Sequence, residues 1–445
     1  MDRILFKHID NIGLVLWRIA FGLLIAIEGF GAIATGWVRR TLAEPEFTFN
    51  FIGFEFLQLL QGDLTYVLFA FMGLFGVFVM LGYKYRVSMV AYAVLWSSVY
   101  LMQKTSYNNH YYLMMLLCWL MVFLPANRWF SLDAHLNPKI KSPSMPRWVL
   151  LVFILQVWIV YTYAAVAKLY PDWLDASVPA LFMSGKSDFR LIGGFLQLSW
   201  VHWSIAYVGI LFDLLVIPLF LWKRTRLFIF FVSIFFHLFN SFVFQIGIFP
   251  YMSLAFAFFF FSPEVLRKRF LPKKPLYTEG EVKVPNYKPL LITLFSIHFI
   301  MQIALPPRHW FFKDDVLWTE EGHRLSWRMM LRAKSGMLTV WVEDKTTGQR
   351  ERFNYTEILS AKQARNVKSK PDMLWQLAQK IEKIENDKGR QVGVYMDVKI
   401  RVNGGEYHRL IDFKTDLADE RWHHFKHHDW ILPSPQDYTK KQEDK

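Results

Sequence analysis

The sequence predicts a polytopic α-helical membrane protein of about nine transmembrane helices, followed by a C-terminal, mostly-β α+β domain outside the membrane. Three observations carry this expectation. Apolar residues make up 53% of the 445 and aromatic residues 18%, including 42 Phe and 18 Trp, more than a soluble domain of this length needs. The apolar residues gather into blocks close to the ~20 residues with which a helix crosses a bilayer while satisfying its own backbone. Beyond Pro306-Pro307 the blocks stop and an alternating pattern begins.

The candidate spans are 12–36, 65–83, 86–103, 110–125, 147–169, 201–222, 226–245, 248–262 and 288–305. The fourth and eighth are short, so tilt or partial burial in protein is expected for them. The apolar stretch 45–62 carries Pro, Glu and Gly and reads as an interfacial or re-entrant segment. The first block is too long for a signal peptide and has no small-residue cleavage site, so it is expected to remain as a helix. With the N-terminus in the cytoplasm, the cytoplasmic loops hold eighteen Lys and Arg and the opposite loops six. That bias favours N-terminus inside, and nine crossings then put the C-terminal region outside. The net charge of +14 is explained largely by this topology, with no nucleic-acid partner needed.

In the C-terminal part, Met337–Glu343 and Val394–Val402 alternate apolar with polar residues, as half-buried strands do. Thr346-Thr-Gly348 and Asn403-Gly-Gly405 are turn signals. Residues 371–384 read as an amphipathic helix with Pro and Asp at its start. The domains expected are therefore 1–305 in the membrane, 306–435 outside it, and a charged, disordered tail over 436–445. Cys118 is the single cysteine and lies in the fourth span, so packing alone must hold the outer domain together.

Polar and ionisable groups in or at the ends of membrane helices are costly and thus functional candidates. His110, in the tight loop Ser106-Tyr-Asn-Asn-His110, either follows a turn in which Asn caps the next helix or points into the bundle as a proton-handling group. Lys168, at the outer end of span five, either snorkels to the interface or packs among Ala164, Ala165 and Ala167. In the second case desolvation disfavours its charged form and fits it to act as a base. His237 and Asn240 share a face of span seven, as a satisfied pair or as the lining of a ligand cavity. Arg18, Glu28 and Asp213 stand at different depths and read as structural interhelical partners. His423-His-Phe-Lys-His-His-Asp429 has i, i+4 histidines with zinc-ligand spacing, but reads as a surface or interfacial helix end, and no metal site is expected.

These residues also carry a family resemblance. Asn-Asn-His-Tyr-Tyr-Leu (108–113), Ala-Asn-Arg-Trp-Phe-Ser (126–131), Ala-Lys-Leu-Tyr-Pro-Asp-Trp (167–173) and the run 236–251 resemble the vitamin K-dependent γ-glutamyl carboxylases. So do Leu-Ser-Trp-Arg-Met-Met (325–330), Tyr-Met-Asp-Val (395–398) and Trp-Ile-Leu-Pro (430–433). The likeness runs in order over nearly the whole chain, and its membrane part extends to bacterial proteins named for a horizontally transferred transmembrane domain. The resemblance implies an integral protein, expected in a bacterial inner membrane, that uses reduced vitamin K or a related menaquinol with dioxygen and carbon dioxide. The quinol becomes its epoxide, and a glutamate of a peptide or protein substrate is carboxylated at its γ-carbon. Lys168 falls on the family's catalytic base, which deprotonates the hydroquinone. His110 falls on the histidine that assists it, with Asn109 beside it, and His237 and Asn240 on polar residues lining the same cavity.

A γ-CH proton is too weakly acidic for a lysine. The chemistry therefore needs a stronger base formed on the oxygenated quinol, in a dry pocket reached from both the bilayer and the outside. The animal enzymes continue well past the position of Pro433 and carry a disulfide whose cysteines are absent here. Both departures point to a bacterial protein whose substrate differs or in which carboxylation is lost. A transporter, or a non-catalytic quinone-binding scaffold, are the rival readings; no internal repeat of the spans favours transport.

Overall fold

The computed structural model describes residues 1–439. All nine predicted apolar blocks are helical. They are α1 (Ile12–Ala34), α2 (Leu64–Leu81), α3 (Tyr85–Met102), α4 (Asn109–Phe123), α5 (Arg147–Val166), α6 (Ser199–Leu221), α7 (Arg226–Phe244), α8 (Phe249–Ala255, continued as a 3-10 turn to Phe259) and, after a short helix α9 (Pro263–Phe270), α10 (Lys288–Ala304). The nine predicted crossings are not upheld. Among the described residues five helices, α1, α2, α5, α6 and α7, are long and apolar enough to cross a membrane, and a sixth span arises only if 249–270, bent by 117°, is counted as one. For α4 and α10 the overcount has a physical cause in length, whereas α3, with 18 residues, is long enough but not apolar enough. The apolar blocks ran on through loop residues such as Leu124 and Leu305, whereas α4 has 15 helical residues and α10 has 17.

The tightest helix contact is between α1 and α2. A Cβ added at Gly22 would meet the backbone of Met80, and one at Gly76 the backbone of Ala26. Small residues let membrane helices approach to backbone contact, where dispersion and not the hydrophobic effect holds them. Arg18, buried on α1, spends its guanidinium on the carbonyls of Ala126 and Phe130, fixing the loop after α4. Glu28 accepts a 2.5 Å hydrogen bond from Tyr111. Glu28 is an interhelical tie, as the sequence suggested, whereas Arg18 ties its helix to a loop and not to a second helix. At the same end as Arg18, β1 (His8–Asp10) pairs antiparallel with β2 (Ser144–Pro146).

The C-terminal domain is an antiparallel sheet in the order β4-β3-β5-β6, built from β3 (Lys334–Asp344), β4 (Arg350–Phe353), β5 (Val392–Val402) and β6 (His408–Arg409). Leu338, Val340 and Val342 alternate inward on β3, opposite Val398, Met396 and Val394 on β5. They bury against α12 (Pro371–Asp387), which follows the short α11 (Ala361–Val367) and presents Leu374, Leu377, Ala378 and Ile381. Ser360 and Gln363 close a reciprocal cap on α11.

The two cores interlock. Phe47, Phe49, Trp173 and Val178 of the membrane half belong to the core of the C-terminal domain, while Trp327 belongs to the core of the helical bundle. The stretch 45–62, expected to be interfacial or re-entrant, is irregular apart from a 3-10 helix over Glu55–Leu60. It lies across the end of the bundle beneath the C-terminal domain, held by Gln363 to the carbonyl of Phe47 (2.7 Å) and Gln376 to that of Asn50 (3.1 Å), with Phe56 and Leu59 exposed. Of the tail expected to be disordered, 436–439 is ordered. Tyr438 is buried and donates to Asp315, and Thr439 donates to Asp172. The remainder, 440–445, lies outside the described residues.

Candidate functional site

α5 ends at Val166 and the chain turns through Ala167 and Lys168 before Pro171 starts a new turn. This exit points the Lys168 side chain back along the bundle. Its ammonium donates to the Ala164 carbonyl (3.1 Å) and to Asp213 Oδ2 of α6 (2.5 Å), with the Trp173 ring 5.7 Å away. Both ionic groups are buried. Gly209, one turn before Asp213, leaves room for the lysine stem: a Cβ there would lie 4.0 Å from Lys168 Cε. Lys168 therefore does not snorkel to lipid. The Asp213 carboxylate is a partner that the desolvation argument from sequence did not include. Asp213 is an interhelical partner, as expected, and its partner is the candidate base.

A second polar node lies one and two turns deeper. His237 of α7 is buried, and its Nε2 is 3.0 Å from the Tyr161 hydroxyl of α5. Its Nδ1 is buried without a hydrogen-bond partner. Phe212, next to Asp213, meets the His237 ring edge-on at 5.5 Å, and Phe249 meets it from the other side at 5.9 Å. Phe249 in turn lies 6.3 Å from the His110 ring. His237 and His110 are thus joined through the Phe249 ring and not by direct contact, while Lys168 meets Asp213, the sequence neighbour of Phe212. Among the described residues, neither His110 nor Asn240 makes a side-chain hydrogen bond; both are half-buried.

The loop before α4 divides the two roles that its asparagines could play. Asn108 caps the helix, accepting from the Tyr111 amide at 2.7 Å. Asn109 is buried and faces the C-terminal domain: its amide donates to the Arg328 carbonyl (2.9 Å) and its Oδ1 accepts from the Tyr107 hydroxyl (2.9 Å), which itself accepts from the Leu325 amide (2.7 Å). Trp327 stacks on Tyr112, with centroids 4.8 Å apart. Leu325, Trp327 and Met330 all hold positive φ between 50° and 60°. Non-glycine residues rarely adopt this conformation unless their surroundings over-determine it. Here the bundle does so.

This strained segment borders two cavities. One, of about 700 Å³, lies between the end of α5 and residues 306–328; Tyr163, Leu169, Tyr170 and Trp310 supply aromatic and apolar wall, and His309, Lys313, Asp314, Asp315 and Arg328 its polar edge. Burial, and Arg328 after it, push the His309 imidazole below its ordinary value. Ala167 and Leu169 line this cavity, but Lys168 between them turns away to α6. The other cavity, of about 280 Å³, is lined by charged groups. Asp372 binds Lys104 (2.5 Å) and Arg324 (2.6 Å) there. Burial raises the Asp372 carboxyl, but Arg324 and Lys104 more than reverse this and hold it well below the usual range. Burial pushes Lys104 down to about 8.

Sequence reasoning missed three groups. Tyr161 looked like an ordinary membrane tyrosine. Gln156, Gln302 and His298 form a polar chain between α5 and α10 that ends on Tyr112: His298 to Gln156 (2.7 Å), Gln156 to Gln302 (3.4 Å), Gln302 to Tyr112 (3.0 Å). Polar residues i, i+4 within the apolar block 288–305 were the available signal. Arg328 lay in a motif recognised only as a whole. The histidines at 423–428 do not form a helix end. The segment is irregular, and His427 and His428 both bind Glu321, at 2.7 and 3.1 Å. Among the described residues no group of three His, Cys, Asp or Glu side chains is placed to hold a metal ion.

The HTTM domain model matches residues 6–264, more than half of the chain. A model of the lumenal domain of vitamin K-dependent gamma-carboxylase matches residues 287–437. The chain belongs to the HTTM domain family, in the vitamin K-dependent carboxylase group. No solved structure matches it. The HTTM domain here comprises α1 to α8 and contains Lys168, Asp213, Tyr161, His237 and His110; the lumenal domain supplies His309, Trp327 and Arg328. The protein is an integral membrane protein with an extracytoplasmic C-terminal domain. The lumenal-domain match supports that placement without the parity of nine crossings on which the sequence argument leaned.

Proposed function

We propose that this protein is a vitamin K-dependent γ-glutamyl carboxylase-like enzyme. It would couple epoxidation of a quinol by dioxygen to carboxylation of a glutamate γ-carbon on the extracytoplasmic side. The observation that carries the reading is the buried Lys168–Asp213 pair, set at the outer end of the bundle beside a cavity that the lumenal domain closes. The volume of that cavity, about 700 Å³, is within the usual range for small-molecule sites, and its aromatic and apolar walls suit the flat ring of a quinol arriving from the bilayer. When bound, reduced vitamin K or a related menaquinol supplies the reducing equivalents and, with dioxygen, the strong base that a γ-CH proton requires.

The chain's own residues would do the rest. Asp213 Oδ2, 2.5 Å from Lys168 Nζ, takes the ammonium proton and leaves the amine with a free lone pair. Rotation of the lysine stem from α6 toward the wall formed by Ala167 and Leu169 then presents that lone pair to the cavity. Asn109 holds the Arg328 backbone in place; His110, His237 and Asn240, which the family resemblance assigns to the quinol pocket, stand outside the lining of this cavity and would act from deeper in the bundle. A strong base formed there would have to be kept from water, which would quench it.

The test is epoxide formation by the purified protein given reduced vitamin K, oxygen and bicarbonate, with Lys168→Met in parallel. Epoxide from the wild type that the variant fails to make supports the assignment. No epoxide from a wild type that still binds the quinol would remove the enzymatic reading and leave a quinone-binding scaffold.

A further inference from the structure

At the end of the bundle opposite the lumenal domain lies a cavity of about 270 Å³ that the reaction does not use. It is framed by the start of α3, the end of α4, the strand β2 and the segment leading into α10. His8, Arg86, Arg128 and Lys283 line it, with the hydroxyls of Ser142 and Ser144, and no Asp or Glu is among its lining residues. Arg86 uses one guanidinium nitrogen on the Val122 carbonyl (3.0 Å), and Arg128 uses one on that of Ile140 (3.3 Å). No carboxylate lines the cavity to occupy them, so the remaining donors of both forks stay free for an anion. Lys283 is shared with Glu281 at 2.7 Å, on a side chain that is itself more than half exposed.

The other wall is apolar and exposed. Phe123 closes α4 and is 47% exposed; Tyr287, at the cap of α10, is 61% exposed, with Val284 beside it. Aromatic residues at helix ends mark the level of the bilayer interface, and arginines just beyond it meet phosphate. A free phosphate ion would use only the cationic side of this cavity. A lipid would use both, its headgroup on Arg86 and Arg128 and its glycerol and upper chains along Phe123 and Tyr287.

We propose that this cavity binds the phosphate headgroup of an anionic phospholipid, drawn from the leaflet opposite the lumenal domain. The site is independent of the catalytic reading: it shares no residue with the Lys168 region.

The experiment uses the full-length protein in neutral detergent, with bound lipid counted by native mass spectrometry during titration with phosphatidylglycerol, phosphatidylcholine or inorganic phosphate. The wild type should retain one phosphatidylglycerol in preference to phosphatidylcholine, and phosphate should not displace it. Arg86→Gln/Arg128→Gln should weaken that binding by about thirtyfold, from the loss of two interfacial arginines. The unfolding temperature in plain detergent shows whether the double variant is folded. If it is not, Lys283→Gln, on an exposed side chain, replaces it and should weaken binding by several-fold. Unchanged phosphatidylglycerol binding in a folded variant overturns the proposal. Displacement by inorganic phosphate overturns it too, by showing that a free anion is sufficient.

Discussion

Lys168 Nζ stands 2.5 Å from Asp213 Oδ2, joining the end of α5 to the middle of α6 in a place where both charges are buried. A buried pair of this kind contributes little net stability, because both ions lost their hydration. Breaking it from one side leaves an uncompensated charge. Asp213→Asn should therefore cost about 3–5 kcal/mol. Lys168→Met combined with Asp213→Leu should recover most of that loss while epoxide formation stays absent. Thermal unfolding in detergent, read beside the epoxide assay, separates the two effects. A double variant as unstable as Asp213→Asn would show that the pair is needed for packing and not for charge balance.

Asn109 is the hinge pin of the strained segment that it holds. Asn109→Leu keeps the volume but removes both the donor to Arg328 and the acceptor for Tyr107. A cost of about 1–3 kcal/mol is expected for the buried partners left unsatisfied. Because Leu325, Trp327 and Met330 hold positive φ only under constraint, the segment should relax and become accessible to protease between 322 and 331. Limited proteolysis of folded wild type and variant gives the comparison, and equal resistance would mean that the Trp327–Tyr112 stack is sufficient by itself.

The lumenal domain should respond to acid through Asp372. Its folded carboxyl lies below its unfolded value, so the Lys104–Asp372–Arg324 contribution is complete above about pH 4 and is lost as pH falls through the folded value. Asp372→Asn should lower stability by about 3–5 kcal/mol at neutral pH, since buried Lys104 and half-buried Arg324 are left without a carboxylate. It should also flatten the acid limb of the stability profile. An unfolding temperature measured from neutral to strongly acidic pH, with the same slope in both proteins, would place the acid-sensitive group elsewhere.

The α1–α2 contact allows a controlled pair of substitutions. Gly31→Ala meets open space and should be neutral within experimental error. Gly22→Val forces the helices apart at Met80 and should cost at least about 1–3 kcal/mol. Unfolding temperature and yield from the membrane fraction report both. Equal behaviour would mean that α1 and α2 can slide to absorb the added methyls.

Much of this architecture could be read from the chain, and the unread parts have specific causes. Each apolar block became a helix because bilayer-length apolar runs have no other way to satisfy their backbone. Hydropathy does not register where a helix stops, however, so α4 and α10 were counted as crossings although their helical cores are short. β3 and β5 followed from period-two alternation, and α12 from Pro371 and its apolar stripe. Lys168 stood out as a charge at a helix end, whereas its partnership with Asp213, 45 residues away, depends on how two helices rotate about their axes. Gln156 and Gln302 carried the same information as the histidines but are uncharged, and so drew less notice among apolar neighbours. The packing of Phe47 and Phe49 under the sheet could not be read from 45–62 alone, since the same apolar residues would suit lipid equally well.

The exchange of Trp327 for Phe47, Phe49 and Trp173 between the two cores has a consequence for descent. The matched families meet between residues 264 and 287, which invites a picture of two cassettes joined by a connector. A crossover at that connector would deliver a bundle with a hole where Trp327 should sit and a sheet whose base lacks its phenylalanines. Viable recombinants would need compatible partners on both sides of the seam. The two halves should therefore be inherited together and drift in step, with Tyr112 and Trp327 changing as a pair.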